Sequence, residues 1–441
     1  MSASEKRIDY KVRPGGLLKG QLRVAGDKSI SHRSVMLGAL ADGVTHVTGL
    51  LEGEDVLCTL GAFRTMGVQA KGPEQGRLTI HGVGLHGLRP PTQALDMGNS
   101  GTAMRLLAGI LAGQSFESVL VGDASLSKRP MKRVSDPLGK MGARIDTTEG
   151  GRPPLHIHGG QKLHGIDYNM PMASAQVKSS LLFAGLYAEG ETTVTEPAPT
   201  RDHTERMLRG FGYAVQTEGA RARVRGGGKL KACDIDVPAD ISSATFFLVG
   251  AAIAPGSELL LEHVGINPTR IGVINILKLM GADLAVENER EVGGEPVADL
   301  RIRGSRLKGI RIPEDQVPLA IDEFPAIFIA AACAEGETVL TGAHELRVKE
   351  SDRIAVMAAG LKNLSIAAQE TPDGIIIQGG KLNGGVVDSH GDHRIAMAFA
   401  MSALRGNGIV TIRDCKNVAT SFPDFVELAK RAGLAIEVTA G

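Results

Sequence analysis

The densest polar run in this 441-residue chain, residues 26–33, reads Gly-Asp-Lys-Ser-Ile-Ser-His-Arg and leads into the apolar helical pattern of Val35, Met36, Leu37, Ala39 and Leu40. That order predicts an N-cap at Ser29 or Ser31, with Lys28 and Arg33 beside the positive end of the helix. Backbone N–H groups, the macrodipole and two cations favour a phosphate or carboxylate there. The plainer reading is a capped surface helix with solvated charges. More cations stand in comparable places: Arg105, Lys128 and Arg129, Lys178, Arg201, Arg347, Lys349, Arg353 and Arg394. Arginine suits bidentate recognition of phosphate and carboxylate, and a buried lysine can also move a proton. Two carboxylates suit acid–base work: Asp322, preceded by the apolar run 317–321, and Glu350, flanked by Lys349 and Arg353. These residue types point to a substrate with several negative charges and proton transfer beside it.

The elements that must position these groups repeat along the chain. An Ala/Leu-rich helical run ending in glycine, then a short strand, recurs at 37–47, 106–121, 181–194, 246–261, 327–340 and 395–412. Its anchors Gly43, Gly113, Gly190, Gly256, Gly336 and Gly406 are spaced by 70, 77, 66, 80 and 70 residues. A second helix end follows each anchor: Met66-Gly67, Met141-Gly142, Phe211-Gly212, Met280-Gly281 and Ala432-Gly433. In the fifth copy Leu361 to Leu364 takes that place without the glycine. One copy reads strand, helix, strand, helix, strand, and six copies of one α/β unit is the simplest account. The six first helices begin at 27–29, 98–102, 173–176, 240–243, 322–325 and 391–394, all caps or helix-opening turns. Solenoid, ring and two-lobed groupings are all compatible with six units. The basic turn 223–229 followed by Val237-Pro238-Ala239-Asp240 places a crossover there and favours two lobes of three, with helix N-termini facing a cleft. Each terminus stabilises an anion by about 0.3 to 1 kcal/mol when exposed. The run Gly226-Gly227-Gly228-Lys229 lacks phosphate-loop spacing and reads as a hairpin turn.

Composition bounds the function. Lys+Arg and Asp+Glu are equal at 49 each, so no bulk charge draws nucleic acid or an anionic membrane, and 3% aromatics leave little for base stacking. The four cysteines lie far apart without a C-x-x-C pair, which fits a reducing cytosol. The N-terminus lacks the apolar core of a signal peptide, and runs such as 326–334 are too short to span a bilayer. His390, Asp392 and His393 lack a third convincing metal ligand, and a helix cap explains them better. No cofactor is implied.

The motifs GDKSISHR, GNSGT-A-M-R, SLSKRPMKR, SAQVKSS, PTRDHTE, IDEFP, LRVKESDR, GDHRIAMAF and SFPDF together resemble the 5-enolpyruvylshikimate-3-phosphate synthase family, from about residue 11 to 435. The TRDH and IDEFP forms are similar to its class II bacterial branch. The resemblance implies an α/β protein with the two-lobed enolpyruvyl transferase fold, six βαβαββ-type repeats with three per lobe. One lobe would hold residues 22–240, on the shikimate 3-phosphate side; the other would combine 1–21 with 241–441. It implies a cytoplasmic monomer that transfers the enolpyruvyl group of phosphoenolpyruvate to the 5-hydroxyl of shikimate 3-phosphate. Carried over by position, Lys28, Ser29, Arg33, Ser174, Ala175, Gln176, Arg201, Asp322 and Lys349 would bind shikimate 3-phosphate. Lys28, Gly101, Arg129, Gln176, Arg353 and Arg394 would bind phosphoenolpyruvate. Asp322 would take the hydroxyl proton, Glu350 would protonate the methylene carbon, and Lys28 would assist the departing phosphate.

Two positions stand apart. Relatives of the other branch carry a lysine just before the S/T-F-P-D motif, where this chain has Ala419-Thr420-Ser421, with Lys416 the nearest replacement. Herbicide-tolerant members of this branch carry alanine where this chain has Gly101, so glyphosate is an expected inhibitor. The sister enolpyruvyl transferase acting on a UDP-sugar usually carries a reactive cysteine in the loop equivalent to 122–129, which here has none. A non-enzymatic anion-binding repeat protein would need neither Asp322 nor Glu350.

Overall fold

The computed structural model describes residues 7–440. The chain divides into two compact units: Gly26–Val237 with Glu291–Glu295, and Met1–Ala25 with Pro238–Arg290 and Pro296–Gly441. The six-copy α/β pattern is present. Each copy opens on an apolar helix: Lys28–Leu40, Gly101–Ala112, Ala175–Gly185, Ile241–Ile253, Phe324–Cys333 and His393–Ser402. A helix apolar on all sides belongs in an interior. Every residue of Ile241–Ile253 is buried accordingly, and all but Cys333 of Phe324–Cys333. The second helix of each copy buries one stripe. Phe425–Ala432 covers Phe425, Leu428, Ala429 and Ala432, a spacing of three and four that holds one face to the core.

The sheets share one plan. In the second copy Ser118–Val121 runs parallel to Leu95–Asp96 and antiparallel to Arg152–Ile157, which pairs in turn with Ile145–Thr148. The third copy repeats this with Glu191–Thr195, Asp167–Asn169, Arg221–Arg225 and Val215–Glu218. Copies at the seams borrow strands from elsewhere in the chain. Ile235–Asp236 returns after the third copy to lie parallel to Asp42–Thr48 of the first. Lys19–Leu22 serves Glu258–Gly265 of the fourth in the same way. The sixth copy reaches the end of the chain with Ile436–Ala440, and Ile8–Val12 fills the central place between that strand and Val410–Arg413. The N-terminal residues and the C-terminal half therefore belong to one unit.

The fifth copy shows how the missing glycine is replaced. Where second helices end, Gly67, Gly142, Gly212, Gly281 and Gly433 adopt positive φ between 76° and 118°. Ser365 takes that conformation at φ 69°, with the Ile366 N–H returning to the Leu361 carbonyl at 2.9 Å just as the Val68 N–H returns to Phe63 at 3.0 Å.

Candidate active site

In the unit containing Gly26–Val237, the first helix begins at Lys28, ahead of both predicted caps. Asp27 is the N-cap, its carboxylate accepting the Ile30 N–H at 2.8 Å. Ser29 therefore lies in the first turn, and the Ser31 hydroxyl accepts the Leu51 N–H at 3.0 Å. Asp and Ser cap about equally well, so the aspartate at the true boundary takes the role. Lys28, the first helical residue, holds Asp55 at 3.0 Å. Arg33 is buried and donates from Nε to Thr204 Oγ1 at 2.7 Å, from Nη1 to the Ser29 carbonyl at 2.9 Å and from Nη2 to Ser179 Oγ at 2.8 Å. Burial lowers its pKa to about 10, which leaves it charged at neutral pH. It ties the first helix to Ala175–Gly185 and His203–Gly210. His32 beside it is fully buried; burial drives it toward the neutral form, with Nδ1 2.8 Å from Thr59 Oγ1.

The second and third copies share a polar network at their helix starts. Ser100 and Ser174 cap their helices by accepting the Ala103 and Val177 N–H groups. Arg105 donates to Gln176 Oε1 at 2.6 Å, and Gln176 Nε2 donates to Thr102 Oγ1 at 2.9 Å. Arg129, on the loop after Ser118–Val121, donates to Asn99 Oδ1 at 2.6 Å. Gly101 lies beneath both guanidinium groups: a Cβ there would meet Arg105 Nη1 at 2.9 Å and Arg129 Nη1 at 3.3 Å. Ala175 and Arg201 are half-buried at the same helix starts and loops. Lys178 is buried against Glu196 at 2.6 Å and Glu205 at 2.8 Å.

In the other unit the charges gather around Arg353. Its side chain is 1% exposed and meets three carboxylates: Nε with Asp392 at 2.8 Å, Nη2 with Glu350 at 2.6 Å and Nη1 with Asp322 at 3.3 Å. Burial works to lower its pKa, but Asp392, Glu350 and Asp322 outweigh that and raise it. Asp392 also caps His393–Ser402 through the Arg394 N–H and accepts from Ser351 Oγ, so both its oxygens are engaged as a cap and ion-pair anchor. Arg394 Nη1 donates to the Asp322 backbone carbonyl at 3.1 Å, and Lys349 Nζ lies 4.0 Å from the Asp322 carboxylate. Asp322, Lys349, Glu350, Arg353 and Arg394 thus form one cluster within this unit. A second buried group joins Arg270 to Asp240 at 3.1 Å and Ser242 at 2.6 Å, with Ser242 donating to Glu323. At the place of the absent lysine, Thr420 is buried and Lys416 is exposed.

Some groups were not legible beforehand. Asp55, Asp392, Gln176's link to Arg105, and Arg270 with Glu323 join the charged clusters only through folding. Asp392 had one signal, its place at a helix start, and that identified a cap without its ion pair. Among the described residues no helix is long and apolar enough to cross a membrane, and all four cysteines are free.

The sequence profile of the family EPSP synthase (3-phosphoshikimate 1-carboxyvinyltransferase) matches residues 12–428. The 3-phosphoshikimate 1-carboxyvinyltransferase of Methylococcus capsulatus is 67% identical over 435 residues, covering 99% of this chain and 100% of that protein. That of Nitrosococcus oceani is also 67% identical, covering 98% of each chain. The solved structure of EPSP synthase from Acinetobacter baumannii superposes with a TM-score of 0.89 at 64% identity, covering 98% of this chain and 100% of that one.

Proposed function

The chain belongs to the EPSP synthase family, and from that membership we propose how its charged clusters carry out the family reaction. The enzyme transfers the enolpyruvyl group of phosphoenolpyruvate to the 5-hydroxyl of shikimate 3-phosphate, releasing phosphate, in the shikimate pathway to aromatic amino acids. It works in the cytoplasm as a monomer. The observation that best supports the residue roles is the Arg353 cluster, where a buried cation is held by three carboxylates, two of them the acid–base candidates Asp322 and Glu350.

Both substrates are anions, so cationic positioning and charge compensation are needed together. Lys28, Ser29, Arg33, Ser174, Ala175, Gln176, Arg201, Asp322 and Lys349 serve shikimate 3-phosphate. Arg33 holds Thr204, Ser29 and Ser179 with three of its five N–H groups, which fixes this side of the site around the substrate. Lys28, Gly101, Arg129, Gln176, Arg353 and Arg394 serve phosphoenolpyruvate. Asp322 takes the 5-hydroxyl proton as that oxygen bonds to C2 of phosphoenolpyruvate, and Glu350 gives a proton to the methylene carbon. The tetrahedral adduct then loses phosphate, with Lys28 assisting, and a methyl proton leaves to restore the double bond.

Phosphate release from purified protein, with each substrate omitted in turn, tests the reading. Release that needs both substrates is the expected result; release from phosphoenolpyruvate alone, or none from folded protein, would overturn it. Gly101→Ala tests the phosphoenolpyruvate side. Its methyl must displace the guanidinium ends of Arg105 and Arg129, each held by a 2.6 Å hydrogen bond. The Michaelis constant for phosphoenolpyruvate should rise about tenfold, more than kcat falls, because the change crowds a binding pocket. Glyphosate should inhibit the unmodified enzyme competitively with phosphoenolpyruvate and the variant more weakly. Activity of the unmodified enzyme that persists undiminished in glyphosate would remove the inhibitor from this reading.

A further inference from the structure

We propose that the outer face of the second copy's sheet holds a divalent transition-metal site of the Zn²⁺ class, formed by Glu117, His156 and His158. Their ligand atoms all lie within 4.8 Å of one another. His156 Nε2 is 3.5 Å from Glu117 Oε2, and His158 Nδ1 is 3.5 Å from Glu117 Oε1. Metal–ligand bonds of 2.0–2.1 Å in a tetrahedron place neighbouring donors about 3.4 Å apart, and each imidazole nitrogen lies near that distance from one Glu117 oxygen, a different oxygen for each ring. Two imidazoles and one carboxylate form the three-ligand set that leaves a fourth position for water.

The sheet builds the set. Successive strand residues point to opposite faces, so His156 and His158 share one face while Leu155 and Ile157 are buried on the other. The pairing of Val119 with His156 and Ser118 with Ile157 brings Glu117 opposite His158. Asp146, on the neighbouring strand, holds His158 Nε2 at 2.6 Å. A carboxylate on the far nitrogen fixes ring orientation and leaves Nδ1 for the ion, an arrangement common around bound metals. The rings of His156 and His158 are 4.6 Å apart, close enough for one ion to meet both. These side chains range from largely exposed to half-buried, so an ion reaches them from solvent. None of the four belongs to the substrate clusters, and the ion would join the ends of the paired strands Ser118–Val121 and Arg152–Ile157, with Asp146 of Ile145–Thr148 tied on through His158.

Isothermal titration of untagged protein with ZnCl₂ tests this, with His156→Ala/His158→Ala/Glu117→Gln as the background and turnover without added metal as the check on folding. One saturable Zn²⁺ per chain is expected in the unmodified protein and none at this site in the triple variant. Asp146→Asn should weaken binding by about 10- to 100-fold through the His158 ring. Equal binding in the unmodified protein and the triple variant, or no binding in either, would overturn the site and leave an ion-pair cluster of histidines and carboxylates. Unchanged affinity in Asp146→Asn would overturn its orienting role.

Discussion

Asp322→Asn is expected to lower kcat by about 10²- to 10⁴-fold, the range a positioned general base contributes, while the protein stays folded. Asparagine keeps the size of the side chain and can still accept a hydrogen bond from Arg353, 3.3 Å away, but it cannot take a proton. Arg353 keeps Asp392 at 2.8 Å and Glu350 at 2.6 Å, so no buried charge is abandoned. Substrate affinity should change much less than turnover, because the cations placed on the substrates remain. Phosphate release at saturating substrates, with thermal unfolding run in parallel, separates the effects. A fall below about tenfold with an unshifted melting curve would remove Asp322 from the role of base. Glu350→Gln gives the companion measurement: the addition needs a proton removed from oxygen and one delivered to carbon, so either variant should stall before the tetrahedral adduct. Burst measurements should then find neither variant accumulating that adduct.

The two carboxylates were recognisable in the sequence because their neighbours are unusual: an apolar run before Asp322 and cations on both sides of Glu350. What the sequence did not carry was their common partner. Arg353 reads as a cation beside Glu350 and, by resemblance, as a phosphoenolpyruvate ligand, but only folding brings Asp322 and Asp392 to it from 31 and 39 residues away. The repeat was legible for the opposite reason. Glycine at a left-handed helix end is a local requirement, so it marks five of six second helices, and Ser365 shows the rule relaxing where the hydrogen bonds alone hold the turn. Strand lending at the seams was not legible, since Ile8–Val12 joins the sixth copy from the far end of the chain. The helix start at 27–29 was legible from the repeat, but the cap falls on Asp27 and not on Ser29 or Ser31, because the helix starts at Lys28, earlier in the polar run than its first apolar residues.

Lys178→Met is expected to cost about 3 to 5 kcal/mol, as removal of one partner from a buried ionic group does. For a unit of this size that lowers the melting temperature by roughly 6 to 20 °C. Lys178 lies between Glu196 and Glu205, and Glu205 is itself almost wholly buried, so methionine would fill the volume but leave two carboxylates facing each other. The pH dependence distinguishes this cause from poor packing. In the unmodified protein burial works to lower the Lys178 pKa, but Glu205 and Glu196 outweigh it and raise the value above that of an ordinary lysine. Its stabilising contribution is therefore complete below pH ~10.4 and is lost only as the pH climbs through the raised folded value. In the variant the order reverses. The deficit is largest at neutral pH and shrinks as the solution approaches the carboxylate range, where a proton can take the place of the missing cation. Adding Glu205→Gln should recover part of the loss by leaving one carboxylate instead of two. A deficit constant between pH 5 and 8, or undiminished by the second substitution, would mean that the lysine's hydrocarbon packing, not its charge, holds the third copy together.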